Sequence, residues 1–199
     1  MNAIGLLLAA GRGQRFDPSG QRNKLLAALP GGDLVVAASA RAMLAVLPRV
    51  IAVVPAEGEV ADVLRAAGCE VTVCHDAASG MAASLVHGVR LAQAADGWII
   101  GLGDMPLVSP STIRALHAAL AGGAGIAAPV HAGRRGNPVA FGEPYLQRLL
   151  ALQGDQGARA LLASEPVTVV DVDDPGVLHD IDTASDLNKT GTLPVGGYL

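Results

Sequence analysis

A basic, glycine-containing loop follows the first apolar run of the chain. Residues 6–16 are LLLAAGRGQRF, and Lys24 follows a short way along the sequence. Two glycines allow a turn to present several backbone N–H groups to one anion, and this turn is flanked by Arg12, Arg15 and Lys24. The pattern predicts a loop that binds a polyphosphate, with an ordinary surface turn and solvated arginines as the alternative.

Two common phosphate-binding loops do not match this pattern. A dinucleotide-binding fold needs G-x-G-x-x-G, and Phe16 stands where the third glycine belongs. A P-loop needs a glycine directly before lysine and a serine or threonine after it, whereas Lys24 lies between Asn23 and Leu25. The loop therefore argues against a dinucleotide-dependent oxidoreductase and against a P-loop nucleotidase.

Carboxylates follow an apolar run in the middle of the chain and recur near its C-terminus. Asp104 comes just after the predicted strand 98–102, and Asp180 and Asp182 precede a helix start. In open parallel sheets the carboxyl ends of the strands form the ligand-binding edge, and carboxylate oxygens are ligands that Mg²⁺ prefers. We expect Asp104 and Asp182 to hold magnesium. Asp180 is the alternative to Asp182, and structural capping is the alternative role of Asp104.

Short β-branched runs alternate along the chain with longer segments rich in alanine and leucine. This alternation predicts an α/β fold, in which helices cover a parallel sheet. The predicted strands span residues 3–8, 50–54, 70–74, 98–102, 125–129, 137–141 and 167–170. The predicted helices span residues 34–47, 57–67, 82–94, 109–121, 144–152 and 156–164, and a short helical turn begins at Thr183.

The composition limits the classes of protein. The chain of 199 residues suits one domain, and its net charge of −4 without basic runs argues against a nucleic-acid partner. Hydrophobic residues make up 51% of the chain, but no apolar run approaches the length that spans a bilayer, so we expect no membrane partner. The start lacks the basic region of a signal peptide, and Cys69 and Cys74 match no metal or redox spacing. We therefore expect a cytoplasmic protein with two reduced thiols.

Six segments together resemble the MobA-like nucleotidyltransferase family, most closely its molybdenum-cofactor cytidylyltransferase branch. The segments, in chain order, are LAAGRGQRF with Lys24, GMAASL, GLGDMPL, GRRGNPVAF, GDQGARALL and DIDTASDL. The resemblance implies a single Rossmann-like, three-layer α/β domain of the nucleotide-diphospho-sugar transferase type, with a mostly parallel sheet of about seven strands. We expect this domain to span residues 1–188, with a C-terminal tail at 189–199.

The resemblance also implies an activity and roles for single residues. Family members transfer a nucleoside monophosphate from a triphosphate to a phosphorylated acceptor, with Mg²⁺, and release pyrophosphate. The implied catalytic residues are Arg15, Lys24 and Asp104, and the metal ligands are Asp104 and Asp182. The implied nucleotide-binding residues are Leu8, Ala9, Ala10, Gly11, Arg12, Gly13, Gly80 and Ser84, although the spacing of GMAASL alone predicts only a helix start. Two further loops supply candidate acceptor-binding residues, namely Arg134, Arg135, Asn137 and Asp155.

Two positions bear on the substrates that the resemblance implies. Ala10 stands where guanylyl-transferring members tend to carry glycine, which favours a pyrimidine base and therefore CTP over GTP. Asn137 stands where many relatives of the cytidylyl branch carry histidine. Because of this difference, the identity of the acceptor stays open between a molybdopterin-type cofactor and another phosphorylated small molecule. A molybdoenzyme or its maturation chaperone is the expected protein partner. Guanylyl or uridylyl transfer, and a carrier that binds nucleotide or cofactor without catalysis, stay as alternatives.

Overall fold

One sheet of eight strands organises the part of the chain that the computed structural model describes, namely residues 1–11, 13, 15–17, 19, 22–155 and 157–190. The strands are β1 (Ala3–Leu8), β2 (Val50–Val54), β3 (Glu70–Val73), β4 (Gly97–Leu102), β5 (Ile126–His131), β6 (Arg134–Arg135), β7 (Val139–Gly142) and β8 (Thr168–Asp171). Their order is β3-β2-β1-β4-β7-β5-β6, and β8 also pairs with β5. All seven predicted strands are therefore present, with small shifts at their ends.

The sheet combines a parallel half with an antiparallel insertion. Strand pairs β1–β2, β2–β3, β1–β4 and β5–β8 are parallel, whereas β7 runs antiparallel to both β4 and β5, and β6 runs antiparallel to β5. The connection from β5 to β7 is short, and a parallel crossover needs a dozen or more residues, so the chain must turn back. The eighth strand, β6, comprises only two residues, which is too short for a periodic sequence signal.

The described residues contain seven α-helices, of which six lie between strands and the seventh follows β8. They are α1 (Val35–Leu44), α2 (Glu59–Ala67), α3 (Met81–Leu91), α4 (Pro110–Ala121), α5 (Leu146–Leu150), α6 (Arg159–Ser164) and α7 (Ala184–Thr190). Short 3₁₀ turns occupy Lys24–Leu26, Ala77–Ser79, Glu143–Tyr145 and Pro175–Leu178. Within the described ranges, every helix is too short or too polar to cross a lipid bilayer.

Helix ends account for most differences from the predicted bounds. The helix predicted at 144–152 is a 3₁₀ turn followed by α5, and α1 ends at Leu44 rather than at 47. Gln156, where another helix was predicted to begin, lies outside the described residues, and α6 starts at Arg159. Helix α7 runs to Thr190, and residues 191–199 lie outside the described part, so the predicted boundary between domain and tail stays a prediction.

Helices cover both faces of the sheet. Leu7 of β1 packs in a cluster with residues of α1, α2 and α4, whereas Leu6 packs on the opposite face with residues of α3, α5 and α6. Successive residues of a strand point to opposite faces, so a strand that is covered on both sides is a continuous apolar run. The predicted three-layer α/β architecture is confirmed.

Both cysteines belong to this apolar interior. Cys69 and Cys74 are buried and free, as the sequence predicts. Burial raises the pKa of the Cys69 thiol to about 11, because the thiolate loses its hydration. The reactive thiolate form of Cys69 is therefore rare at neutral pH.

The pairing of β1 with β4 brings two loops side by side at the carboxyl edge of the sheet. Leu8 and Leu102, the last residues of the two strands, are register partners. The backbone N–H of Gly103 donates to the carbonyl oxygen of Leu8 over 2.9 Å, which extends the contact beyond the strands. The glycine loop after β1 and the segment that carries Asp104 are thus fixed next to each other.

We predict that Leu6→Ala destabilises the protein far more than Leu91→Ala. Leu6 is 0% exposed and Leu91 is 50% exposed, so only the first substitution leaves a cavity, at a cost of about 2–5 kcal/mol. The measurement is denaturant unfolding followed by the fluorescence of Trp98, the single tryptophan of the chain, which is buried. Equal midpoints for the two variants would contradict the three-layer core.

Candidate active site

A cleft of about 470 Å³ opens at the carboxyl edge between β1 and the start of α3. Its rim on the β1 side is formed by four consecutive residues, Leu8, Ala9, Ala10 and Gly11. On the other side lie Gly80 and Ser84, which flank the first turn of α3. The structure thus brings together two segments that the sequence places some seventy residues apart. Six of the eight predicted nucleotide-binding residues line this cleft.

Of the other two predicted nucleotide-binding residues, Gly13 is not among the residues that line the cleft. Gly13 has a φ of +59°, a left-handed conformation that favours glycine, and an added Cβ would lie 3.5 Å from the Lys24 side chain. Gly13 therefore lies beside the stem of the Lys24 side chain. Arg12 lies outside the described residues.

Gly80 joins the cleft to a second loop. Its φ is +130°, and an added Cβ would lie 2.6 Å from the Gly154 carbonyl oxygen and 2.5 Å from Asp155 Oδ1. The backbone N–H of Ala82 donates to the same Gly154 carbonyl over 3.1 Å. Glycine is required at position 80 for this close packing, which brings Asp155 into the lining of the cleft.

A cluster of charged side chains lies beside Asp104 at the base of the glycine loop. The Lys24 ammonium donates to Asp104 Oδ2 over 2.6 Å and to Asp182 Oδ1 over 3.2 Å. Arg15 pairs with the other oxygen of Asp182 over 2.7 Å. Lys24 has 7% of its side chain exposed, whereas Arg15 has 80% exposed, so solvent screens the Arg15 pair and screens Lys24 much less.

The charge state of Lys24 follows from its two carboxylate partners. Burial lowers the pKa of Lys24, but the charge and hydrogen bond of Asp104, followed by those of Asp182, outweigh burial and raise the pKa above its ordinary value. A raised pKa means that the folded protein favours the protonated amine. The protonated amine therefore contributes to the free energy of unfolding. This contribution is fully present below the ordinary lysine pKa of 10.5 and is lost as pH rises through the raised pKa of the folded protein. Lys24 is therefore a cation at neutral pH.

Three carboxylates near Lys24 fit a divalent metal ion. One ligand oxygen from each of Asp104, Asp180 and Asp182 can be chosen so that all lie within 4.8 Å of one another. Asp104 Oδ1 is buried and has no hydrogen-bond partner, an uncommon state for a carboxylate oxygen. Hard oxygen donors of this kind suit Mg²⁺ or Mn²⁺. Both alternatives for the second ligand, Asp180 and Asp182, lie within reach.

A backbone hydrogen bond fixes the two acidic segments to each other. The N–H of Ile181 donates to the carbonyl oxygen of Asp104 over 2.8 Å, and the Ile181 side chain is buried. Asp186 accepts from the backbone N–H groups of Asp182 and Thr183, and so holds the turn that precedes α7. The spacing of Asp104 and Asp182 is therefore set by the main chain and not only by their side chains.

Asp174 is a site-supporting residue that the sequence analysis missed. It is 6% exposed, and its Oδ2 accepts from the Ser109 N–H over 2.8 Å and from the Thr112 hydroxyl over 2.6 Å. Its Oδ1 accepts from the N–H of Gly176 over 3.0 Å. Asp174 thus ties the start of α4 to the segment that leads to Asp180. Ser109 was recognisable as a helix N-cap, but a partner 65 residues away leaves no local signal.

Three of the four predicted acceptor-binding residues lie outside the lining of the cleft. Arg134 and Arg135 are exposed on β6, and Arg135 donates to the carbonyl oxygen of Leu162 over 2.9 Å. The backbone N–H of Asn137 donates to the Val177 carbonyl oxygen over 2.9 Å. Asp155 lines the cleft. The acceptor-binding role of all four residues stays a prediction.

A model of the MobA-like NTP transferase domain matches residues 5–169 of the sequence. The chain belongs to the MobA-like NTP transferase family. It is a nucleotidyltransferase, and the sequence resemblance is confirmed at the level of the family. A comparison with curated proteins gives no match.

Solved structures of this family resemble the chain over nearly its whole length. Rv0371c from Mycobacterium tuberculosis H37Rv is 29% identical with a TM-score of 0.76, covering 95% of this chain and 96% of that one. A second structure of Rv0371c, in complex with manganese, is 28% identical with a TM-score of 0.68, covering 95% and 97%. The nucleotidyl transferase Mth528 from Methanothermobacter thermautotroptrophicus is 26% identical with a TM-score of 0.78, covering 94% and 95%.

A more distant structure shares the fold. CMP:2-keto-3-deoxy-manno-octonic acid synthetase in complex with CTP has a TM-score of 0.73 at 15% identity, covering 96% of this chain and 98% of that one. At this identity the likeness concerns the fold alone. It confirms the predicted nucleotide-diphospho-sugar transferase type of architecture.

We predict that Asp174→Ala lowers the thermal stability of this transferase, whereas Asp173→Ala does not. The first substitution removes three hydrogen bonds and leaves two backbone N–H groups without their acceptor, at about 1–3 kcal/mol for each buried group. Asp173 is exposed and is the matched control. Scanning calorimetry measures the effect, and indistinguishable melting temperatures would contradict the anchoring role of Asp174.

Proposed function

We propose that this family member transfers CMP from CTP to a molybdopterin-type phosphorylated acceptor, with magnesium, and releases pyrophosphate. The observation that carries the proposal is the partly buried cluster of Lys24, Asp104 and Asp182 beside the cleft. A cation and two carboxylates at the carboxyl edge of a parallel sheet suit a triphosphate with its metal ion. A carrier that only binds nucleotide has no need of such a cluster.

The cleft supports binding of a nucleoside next to this cluster. Leu8, Ala9 and Ala10 form the rim that would meet the edge of a base, and Ser84 adds a hydroxyl. The methyl group of Ala10 takes room that a glycine would leave open, so the smaller cytosine is the proposed base. Gly11 and the cations Lys24 and Arg15 then meet the phosphates.

Magnesium is the proposed metal ion, with Asp104 and Asp182 as its protein ligands. Support comes from the unpaired Asp104 Oδ1 and from the acidic cluster. The relative Rv0371c, which is solved in complex with manganese, supports a divalent ion in the same family. When bound, the ion supplies positive charge to the phosphate oxygens of the nucleotide.

The proposed chemistry is in-line attack by an acceptor phosphate oxygen on the α-phosphorus of CTP. A new P–O bond forms as the bond to pyrophosphate breaks, and no covalent intermediate with the protein is required. Both reactants are anionic, so the barrier contains charge repulsion that Lys24 and Arg15 reduce. One cation about 4 Å from a phosphate oxygen attracts it by up to ~4 kcal/mol at an effective dielectric near 20, before desolvation.

The acceptor is proposed from the resemblance of the six segments to the cytidylyl branch. Asp155 is the acceptor-side candidate that lines the cleft, and Arg134, Arg135 and Asn137 are candidates outside it. A molybdoenzyme or its maturation chaperone is the proposed recipient of the product. A cytoplasmic location is part of the same proposal.

The test of this function is a matrix of the four ribonucleoside triphosphates against molybdopterin and sugar-phosphate acceptors, with pyrophosphate release as the readout. We predict release with CTP and molybdopterin, and little release without an acceptor. Faster release with GTP or with a sugar phosphate would replace the proposed substrates. No release with any pair would contradict the enzymatic proposal and favour the carrier.

We predict that Asp104→Asn retains the fold and lowers the rate of pyrophosphate release about 100-fold or more, because an amide is a weaker ligand for a hard cation. The matched control is Asp173→Asn, which changes the charge by the same amount at an exposed position. Circular dichroism verifies folding of both variants. A near-normal rate for Asp104→Asn at ordinary magnesium concentrations would remove Asp104 from the mechanism.

A further inference from the structure

We propose that Lys24 couples the binding of the divalent metal ion to the binding of the triphosphate, because its ammonium group is paired with the carboxylates that would hold the metal and offsets part of their charge. This inference rests on the proposed function and concerns the regulation of the same site. It predicts that the metal binds weakly to the free protein and tightly once a triphosphate is present.

The contacts of Lys24 place its charge on the proposed metal ligands. The ammonium lies 2.6 Å from Asp104 Oδ2 and 3.2 Å from Asp182 Oδ1. These two residues are also members of the group whose ligand oxygens lie within 4.8 Å of one another. A single ammonium thus offsets one of the two negative charges that would otherwise attract a cation.

The charge of the cluster opposes a metal ion that enters alone. Asp104, Asp180 and Asp182 contribute −3, and Lys24 and Arg15 contribute +2, which leaves −1. A divalent ion that binds beside Lys24 is repelled by the buried ammonium. A divalent ion that displaces the ammonium leaves Lys24 without its carboxylate partners. Both routes weaken metal binding, since an unpaired buried charge is unfavourable.

A triphosphate removes this conflict. Lys24 lines the same cleft as Gly11 and Asp104, so a phosphate group in that cleft offers its ammonium a new anionic partner. The carboxylates then become available to the metal ion, whose own charge favours the phosphates. Linkage requires that the metal raise the affinity for the triphosphate by the same factor.

The burial of Lys24 distinguishes it from the neighbouring arginine. The Lys24 side chain is 7% exposed and the Arg15 side chain is 80% exposed. An exposed arginine can turn into solvent at little cost when a metal ion arrives, because water solvates its charge. The coupling is therefore assigned to Lys24.

The experiment measures Mn²⁺ binding to the full chain by electron paramagnetic resonance of the free ion, with and without α,β-methylene-CTP. This analogue resists cleavage at the α-phosphorus, and its own binding of Mn²⁺ is measured separately and subtracted. The test variant is Lys24→Met, which keeps an unbranched apolar stem and removes the charge. The matched control is Arg49→Ala, which removes one positive charge from an exposed pair with Glu70, away from the cleft.

We expect the loss of the Lys24 charge to strengthen metal binding and to weaken nucleotide binding. The analogue tightens Mn²⁺ binding to the wild-type protein about tenfold or more. Lys24→Met binds Mn²⁺ about tenfold more tightly than the wild type without the analogue, binds the analogue more weakly, and loses the coupling. Arg49→Ala behaves like the wild type.

Two outcomes would overturn the inference. One is Mn²⁺ binding to Lys24→Met that is no tighter than to the wild type. The other, which needs no variant, is wild-type Mn²⁺ affinity that does not change with the analogue. Asp104→Asn separates this failure from that of the proposed function. If the coupling fails and Asp104→Asn has lost Mn²⁺ binding, the proposed metal site is retained and only the coupling is rejected. If the coupling fails and Asp104→Asn binds Mn²⁺ as the wild type does, the proposed metal site is rejected as well.

Discussion

The ammonium of Lys24 is shared by two carboxylates, one from the middle of the chain and one from its C-terminal part, and the rest of the site is arranged around this contact. Asp104 and Asp182 repel each other in a partly buried position, so their proximity requires a cation and a rigid backbone. Lys24 supplies the cation. The hydrogen bond from Ile181 N–H to the Asp104 carbonyl oxygen supplies the rigidity. The same repulsion makes the pair suitable for a divalent ion.

Three sets of contacts between distant segments of the chain bring these groups together. Parallel pairing of β1 with β4 aligns the glycine loop with the segment of Asp104. The C-terminal segment arrives from β8, and Asp174 anchors it to the start of α4 before it reaches Asp182. Gly80 allows the loop of Asp155 to pack against the start of α3. Each of these contacts joins residues that are distant in sequence, so the site exists only in the folded chain.

Local patterns in the sequence predicted the residue types of the site and seven of the eight strands. Buried parallel strands are continuous apolar runs, and the glycine loop and the acids follow such runs directly, so their positions could be inferred. Strand β6 is too short for any periodicity, and Asp174 acts through partners far along the chain. The contact of Lys24 with Asp104 and Asp182 was also not predicted, since Lys24 was expected at the triphosphate. Side-chain pairing across 80 and 158 residues has no local signature.

The most direct test of this account is anomalous diffraction from crystals of the protein with Mn²⁺ and α,β-methylene-CTP. We expect an anomalous peak within bonding distance of carboxylate oxygens of Asp104 and Asp182. We also expect the Lys24 ammonium to have moved from these oxygens to a phosphate of the analogue. A peak elsewhere in the molecule, or Lys24 still bridging the two carboxylates beside a bound nucleotide, would contradict this account.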